Sequence, residues 1–254
     1  SHDVRLDRRL QPVDPALEAT ALSLAALKAD GPALLMHRPV GSRHPMLGNL
    51  FGHRRRIELA LGDRPVGSLR ELGRLLASIR EPRWPGSLKD ALSQWPELAQ
   101  LAHVAPREVH DAAFNDEVIE GDAIDLGRLP IQTCWPGDAG PLITFGLVVT
   151  RGPTKRRENV AIYRQQPIGP RRVIMRWLAH RGGALDYQDH LRVHPDQPFP
   201  VVVAIGVDPA TALAAVAPIP DTLSEFEFAG LLRGSRSRVW RSALTGLHAP
   251  AGAE

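Results

Sequence analysis

The sequence predicts a mixed α+β chain in two parts. An N-terminal α/β domain occupies residues 1–115, and a mostly antiparallel, barrel-like sheet with attached helices occupies residues 116–254. Three observations predict this. Apolar residues recur at helical spacing through much of the first half, with Pro and Gly between the runs. Short β-rich runs, each punctuated by Gly or Pro, fill the second half. The stretch 103–115 has no clear period and marks the change. With 254 residues the chain can bury roughly 70–75% of its unfolded surface, so it needs neither disulfide nor metal to fold.

Taken in order, Asp14-Pro15 reads as an N-cap followed by proline in the first turn. Leu17, Ala21, Leu24 and Leu27 then repeat at helical spacing until Gly31 ends the helix. Residues 32–38 read as a short apolar strand. Helices are expected at 54–61, opened by His53-Arg54-Arg55-Arg56, then at 69–80 and 88–101. Beyond residue 115, Val118-Ile119 and residues 142–150, 159–164 and 173–178 read as strands. The run Gln166-Pro167-Ile168-Gly169-Pro170 reads as the turn that pairs the last two in an antiparallel hairpin. Residues 200–207 form a β-rich apolar run. Asp208-Pro209 caps a helix carrying Ala212, Leu213 and Val216, and a last helix spans 223–232.

A hydrophobic fraction of 43% and a charged fraction of 23% exclude a disordered, collagen-like or coiled-coil chain. The longest apolar run, 199–207, falls far short of the ~20 residues of a membrane helix. Ser1-His2 reads as a tag remnant or a trimmed start. No charged-then-apolar leader is visible, and the single Cys134 suits a reducing compartment, so a cytoplasmic location is expected. The isoelectric point of about 9.5 invites a nucleic-acid reading. The net charge is only +3, however, and all but three of the 31 basic residues are Arg. These residues are spread along the chain, whereas a nucleic-acid footprint is a concentrated stripe. No nucleic-acid partner is expected.

Several constellations are absent: a Gly-rich phosphate loop, a Cys pair, a G-x-S-x-G elbow and H-E-x-x-H spacing. What stands out is the segment 134–187. It places Asn159, Tyr163, Arg164, Arg176, Trp177, His180 and Arg181 on or just beyond two strands and ends in Gly182-Gly183. Arg176 and His180 share strand parity, which points them to one face if the strand persists. An anion site would use the guanidinium forks and let backbone amides approach at Gly-Gly. A polar strand pair with exposed Arg and a structural His would look the same, and residue pattern alone leaves both open. Glu225 in a first helical turn is ordinarily a dipole complement.

Longer motifs carry a resemblance. They include Thr133-Cys134-Trp135-Pro136-Gly137-Asp138-Ala139, Val149-Thr150-Arg151-Gly152-Pro153, Ile162-Tyr163-Arg164-Gln165-Gln166 and Ile174-Met175-Arg176-Trp177-Leu178. His180-Arg181-Gly182-Gly183-Ala184-Leu185-Asp186-Tyr187 and Pro218-Ile219-Pro220-Asp221-Thr222-Leu223-Ser224-Glu225 continue them. Together they resemble the UbiD decarboxylase family over nearly the whole chain, nearest to its ubiquinone-pathway branch. The resemblance implies an N-terminal α/β domain, a split β-barrel of flavin-reductase type and, further on in the family, an oligomerisation domain. It also implies prenylated FMN as cofactor, with Mn²⁺ and K⁺ beside its phosphate.

By motif position, Asn159, His180 and Glu225 are the implied metal ligands. Ile162, Tyr163, Arg164, Arg176, Trp177, Leu178, Arg181 and Gly182 are the implied cofactor contacts, and Arg164 is the implied catalytic arginine, suited to a bidentate carboxylate contact. The implied reaction is non-oxidative decarboxylation of a 3-polyprenyl-4-hydroxybenzoate-type aromatic acid, with the cofactor carrying the difficult chemistry. The isoprenoid tail implies peripheral contact with the inner face of a membrane. Family members form homo-oligomers and continue past residue 254, where an acidic proton donor lies. The chain therefore reads as an N-terminal fragment, its C-terminal strands short of partners. The alternative function is a catalytically inactive flavin-binding fragment. A simple flavin reductase on a similar barrel is a third, weaker reading.

Overall fold

The computed structural model describes residues 6–63, 67, 70, 73–74, 105–219 and 223–254. In chain order these form β1 (Leu6–Val13), α1 (Glu18–Lys28), β2 (Ala33–Pro39), β3 (Met46–Gly48), α2 (Arg54–Ala60), β4 (Arg107–Glu108), β5 (Leu147–Thr150) and β6 (Asn159–Ile162). There follow β7 (Gln165–Gly169), β8 (Arg172–Met175), α3 (Gly182–Val193), β9 (Val202–Ala204), α4 (Pro209–Ala214), α5 (Glu225–Arg233), β10 (Arg238–Arg241) and β11 (His248–Pro250). The helices expected at 69–80 and 88–101 fall almost entirely outside the described residues. The chain divides into two units that interleave along the sequence. One takes the residues up to Leu59 with Glu117–Gly146 and Tyr163–Arg176; the other takes Ala60–Asp116, Leu147–Ile162 and Trp177–Glu254.

In the first unit β2 is central, parallel to β1 and antiparallel to β3. Val13, Ala19, Met36 and Met46 form its core, with Leu22 packed against them. Strand β1 is absent from the sequence reading because its residues are mostly exposed and half of them polar, leaving no apolar alternation to detect. Helix α1 begins at Glu18, four residues later than the cap expected at Asp14. The Asp14 carboxylate instead accepts the Ala16 amide at 2.7 Å, closing a turn ahead of the helix. Leu17 takes the N-cap position at φ 67°, and its amide donates to the Thr133 carbonyl at 2.9 Å. Helix α2 forms where it was expected. Its buried Arg56 donates to the carbonyls of Leu50, Gly31 and Asn49 at 2.9–3.1 Å, while Arg54 and Arg55 pair with Glu58. The densest basic cluster is thus committed to internal partners.

The expected hairpin exists with different arms. Residues Gln165–Gly169 are strand β7 itself, paired antiparallel with β8, and the reversal falls at Pro170-Arg171. Pro167 is tolerated because this sheet has only two strands, so its missing N–H faces no second neighbour. The strand at 159–162 pairs elsewhere, with β5. Val118 and Ile119 are exposed and lie outside any strand. Strand β8 stops at Met175, so the shared parity of Arg176 and His180 does not apply.

The second unit carries the larger core. Strand β5, buried at all four residues, lies antiparallel between β6 and β9. Strand β10 lies between β11 and β4. Leu147, Val149, Val160, Ala204, Phe226, Val239 and Leu247 from both sheets and α5 form one cluster. Asp208 caps α4 as expected, accepting from the Ala210 and Thr211 amides. Helix α5 opens with a reciprocal cap between Ser224 and Glu227 and ends at Gly234 in the left-handed region (φ 71°), which glycine adopts without steric cost. The C-terminal residues, expected to lack partners, are paired: the Glu254 amide donates to the Ile205 carbonyl at 3.0 Å, and Ala253 is buried. Among the described residues the strands form four separate sheets and no closed barrel, and no helix is long and apolar enough to cross a membrane.

One charged cluster in this unit gives a pH-dependent stability. The His248 ring is 3.1 Å from the buried Glu158 carboxylate and 3.7 Å from Glu108. The hydrogen bond to Glu158, with both carboxylate charges adding to it, raises the imidazole above its ordinary range against the opposing effect of burial. A raised folded value means the stabilisation is complete below about 6.5, the ordinary histidine value, and is lost as pH rises through the folded one. In urea unfolding, His248→Gln is expected to lower the midpoint more at pH 6 than at pH 9. An equal loss at both would show that the ring acts by packing alone.

Candidate flavin and metal site

Helix α3 is built inside out. Its buried residues are Gly183, Ala184, Asp186, Asp189 and His190, while Leu185, Tyr187, Leu191 and Val193 are exposed. The buried acids tie down the loop between β5 and β6. Asp189 accepts from the Thr154 hydroxyl at 2.7 Å, the Thr154 amide at 3.1 Å and Arg192 at 3.1 Å. The Thr154 hydroxyl contact, ahead of the amide, holds its carboxyl below the usual range. Asp186, 1% exposed, accepts from the Thr150 hydroxyl at 2.7 Å and from the Lys155 ammonium. Thr150 in turn accepts from Asn159 Nδ2 at 3.2 Å.

This network delivers Asn159, the first residue of β6, to the start of α3. A Cβ added at Gly182 would sit 1.9 Å from Asn159 Oδ1. The absence of a Cβ at Gly182 thus lets the Asn159 amide oxygen approach the helix closely. Arg181, the N-cap residue, makes no side-chain cap, so the positive end of a twelve-residue helix faces the same place. At the next residue of β6, the Val160 amide donates to Glu225 Oε2 at 3.0 Å. Glu225 is 8% exposed, and burial outweighs its hydrogen bonds and raises its carboxyl above the usual range. His180 is exposed on the turn two residues before Gly182.

The structure thus ties Asn159, Gly182 and Glu225 together through strand β6, and places His180 on the approach to the same helix end. Among the described residues no three of His, Cys, Asp and Glu gather as a metal-holding group. The expected set contains only two such donors and depends on the Asn159 amide oxygen. That oxygen, an imidazole and a carboxylate suit Mn²⁺, so the donor types of the expected set fit a divalent ion. Ile162, Trp177, Leu178 and Arg181 belong to the same unit, whereas Tyr163, Arg164 and Arg176 belong to the other. Trp177 packs edge-on against Tyr187 and Phe199. Around Arg164 the chain alternates: Tyr163 and Gln165 are buried, Arg164 is exposed. Gln165 Nε2 donates to the Tyr163 carbonyl at 2.9 Å, fixing the backbone on either side of the arginine.

Thr150, Lys155 and Asp186 were not singled out from the sequence. Thr150 and Asp186 lie in motifs that were and Lys155 two residues past one, but an acid buried on a helix has no apolar period to announce it. Gly182→Ala is expected to weaken Mn²⁺-dependent FMN binding about tenfold, the size of a disturbed ligand-supporting contact. Flavin fluorescence titration measures it, and unchanged binding would remove the glycine gap from the site.

The fold defines a mixed α+β class with a candidate site at a helix end, and sequence comparison gives the family. Residues 107–254 match the 3-octaprenyl-4-hydroxybenzoate carboxy-lyase Rift-related domain, and residues 3–76 match the N-terminal domain of the same description. The chain belongs to the UbiD family. Among solved structures it is similar to the UbiD-class enzyme HmfF from Pelotomaculum thermopropionicum in complex with FMN, at 30% identity and a TM-score of 0.79, covering 98% of this chain and 50% of that one. An evolved dimeric form of HmfF in complex with prFMN matches at 30% identity and a TM-score of 0.77, covering 98% and 52%. The vanillic acid decarboxylase of Sedimentibacter hydroxybenzoicus, in closed form, matches at 26% identity and 0.77, covering 98% and 50%. The chain spans about half the length of these solved relatives.

Proposed function

We propose that this chain is the flavin- and metal-binding part of a UbiD-type carboxy-lyase that decarboxylates a 3-polyprenyl-4-hydroxybenzoate-type aromatic acid in ubiquinone biosynthesis. The observation that carries the reading is the convergence of the Asn159 amide oxygen, the Gly182 end of α3 and the buried Glu225 on one short strand. Asn159, His180 and Glu225 would hold Mn²⁺, and the Gly182 end of α3 would receive the cofactor phosphate, with K⁺ beside it. Ile162, Tyr163, Trp177, Leu178, Arg176 and Arg181 would contact the flavin. Prenylated FMN, when bound, supplies the electron sink for loss of carbon dioxide.

The chain's own residues supply orientation and charge. Arg164 presents five N–H donors in a planar fork that matches a carboxylate in two parallel hydrogen bonds. Holding the acid this way fixes the carbon–carbon bond to be broken in one direction, and that loss of freedom is itself rate-enhancing. The buried Glu225 would add negative charge beside a divalent ion. The reading also includes a domain division near residue 115, supported by the family matches at 3–76 and 107–254, and closure of the second part into a split barrel, supported by the core its two sheets share. Homo-oligomeric assembly, a cytoplasmic location and peripheral membrane contact through the substrate's tail complete it.

The test is release of carbon dioxide from a 3-polyprenyl-4-hydroxybenzoate by the chain loaded with prenylated FMN and Mn²⁺, alone and joined to the remaining half found in the solved relatives. Turnover only in the longer form supports the reading. Tight flavin binding without turnover in either form supports the second one, a flavin-binding chain with no catalysis of its own. Failure to bind flavin in both overturns both.

A further inference from the structure

We infer that Asp186, acting through Thr150, is a positioning residue that decides which end of the Asn159 amide faces a bound divalent cation. This rests on the reading of Asn159 as a metal ligand. An asparagine side chain has an oxygen that can ligate a cation and an NH₂ that cannot, and the two ends are nearly the same shape. Something must therefore choose between them, and the choice is made by hydrogen-bond direction.

The chain of donors runs one way. Lys155 donates to Asp186 Oδ1, and a carboxylate paired with an ammonium has only acceptor atoms to offer. The Thr150 hydroxyl accordingly spends its single proton on Asp186 Oδ2, at 2.7 Å. What Thr150 has left is lone pairs, so it can only accept from Asn159, and the contact at 3.2 Å is with Nδ2. The NH₂ end is thereby fixed against Thr150 and the oxygen is turned toward the Gly182 end of α3. Thr150 is 0% exposed and Asp186 1%, so water has no access to relax the direction. The same helix supplies both ends of the device: Asp186 stands four residues, about one turn, beyond Gly182.

The prediction separates orientation from support. Thr150→Val removes the acceptor, and Asp186→Asn places an NH₂ where the carboxylate was, letting the hydroxyl turn its proton toward Asn159 and reverse the amide. Thr150→Ser keeps the acceptor. Binding is read as loss of the free Mn²⁺ electron paramagnetic resonance signal when the 254-residue chain is titrated with Mn²⁺ in the presence of FMN, with circular dichroism confirming the fold. Thr150→Val and Asp186→Asn are each expected to weaken Mn²⁺ binding about tenfold or more, the usual cost of losing a ligand-orienting partner, while Thr150→Ser stays near wild type.

The decisive comparison uses Asn159→Asp, whose carboxylate offers oxygen at both ends and needs no orienting. In that background Thr150→Val is expected to cost little further affinity. An equal loss in both backgrounds, or wild-type binding in Thr150→Val and Asp186→Asn, overturns the inference. Wild-type Mn²⁺ binding by Asn159→Ala, or no Mn²⁺ binding by the unmodified chain, instead overturns the ligand reading beneath it. Should Asp186→Asn not fold, the Thr150 pair carries the test alone.

Discussion

Arg164→Lys is expected to reduce decarboxylation on the order of 100-fold or more, the scale of a lost reacting geometry, while flavin content stays unchanged. Lysine keeps the charge but replaces a planar fork with a point donor on a flexible stem. The side chain is exposed between two buried neighbours, so the exchange leaves no cavity and breaks no core contact. Structural damage is therefore a poor explanation for any loss. The measurement is single-turnover decarboxylation by the lengthened, cofactor-loaded protein beside its flavin absorbance. A near-normal rate would take Arg164 off the catalytic list.

Glu225→Gln is expected to weaken Mn²⁺-dependent FMN retention by up to about 100-fold, at the upper end of what disturbed metal sites lose, with little change in thermal unfolding. The choice of Gln over Ala follows from the packing. Glu225 Oε2 receives the Val160 amide in the heart of the unit, and Ala would leave that buried N–H unpartnered at a cost of about 1–3 kcal/mol. Gln keeps an acceptor oxygen and removes only the charge. Loss of flavin with an intact melting transition fits a ligand. A large drop in melting temperature with flavin still bound would make Glu225 a structural residue of α5.

Some of this molecule could be read directly from its residues. Asp208-Pro209 ahead of an apolar-periodic run produced the α4 cap as expected, because an N-cap and its proline act within a single turn. The α2 helix and the β2, β6 and β8 strands likewise lie where their local patterns put them, to within a few residues. The long motifs around Asn159, Arg164, His180 and Glu225 carry the family resemblance. The family they resemble is the one whose description matches most of the chain.

Other features depend on partners distant in sequence. Asp14 looks like a cap, yet α1 starts at Glu18 because Leu17 is drawn to Thr133. Residues 166–169 look like a turn, yet they extend as a strand because β8 gives their backbone a partner. No helix is expected from the sequence at Gly182-Gly183, yet the pair opens one of twelve residues. That helix escaped the apolar-periodicity test because it buries Asp186 and Asp189 and exposes Leu185, Leu191 and Val193. A buried acid is stable only when its hydrogen bonds are satisfied, and here Thr150 at the end of β5 and Thr154 and Lys155 in the loop after it satisfy them from more than thirty residues away. By itself the sequence determined the residue types, the local caps and the family-length motifs, since these depend on near neighbours. Only the tertiary structure decided which polar groups are buried against one another, because the hydrogen bonds that permit their burial form only when distant segments meet.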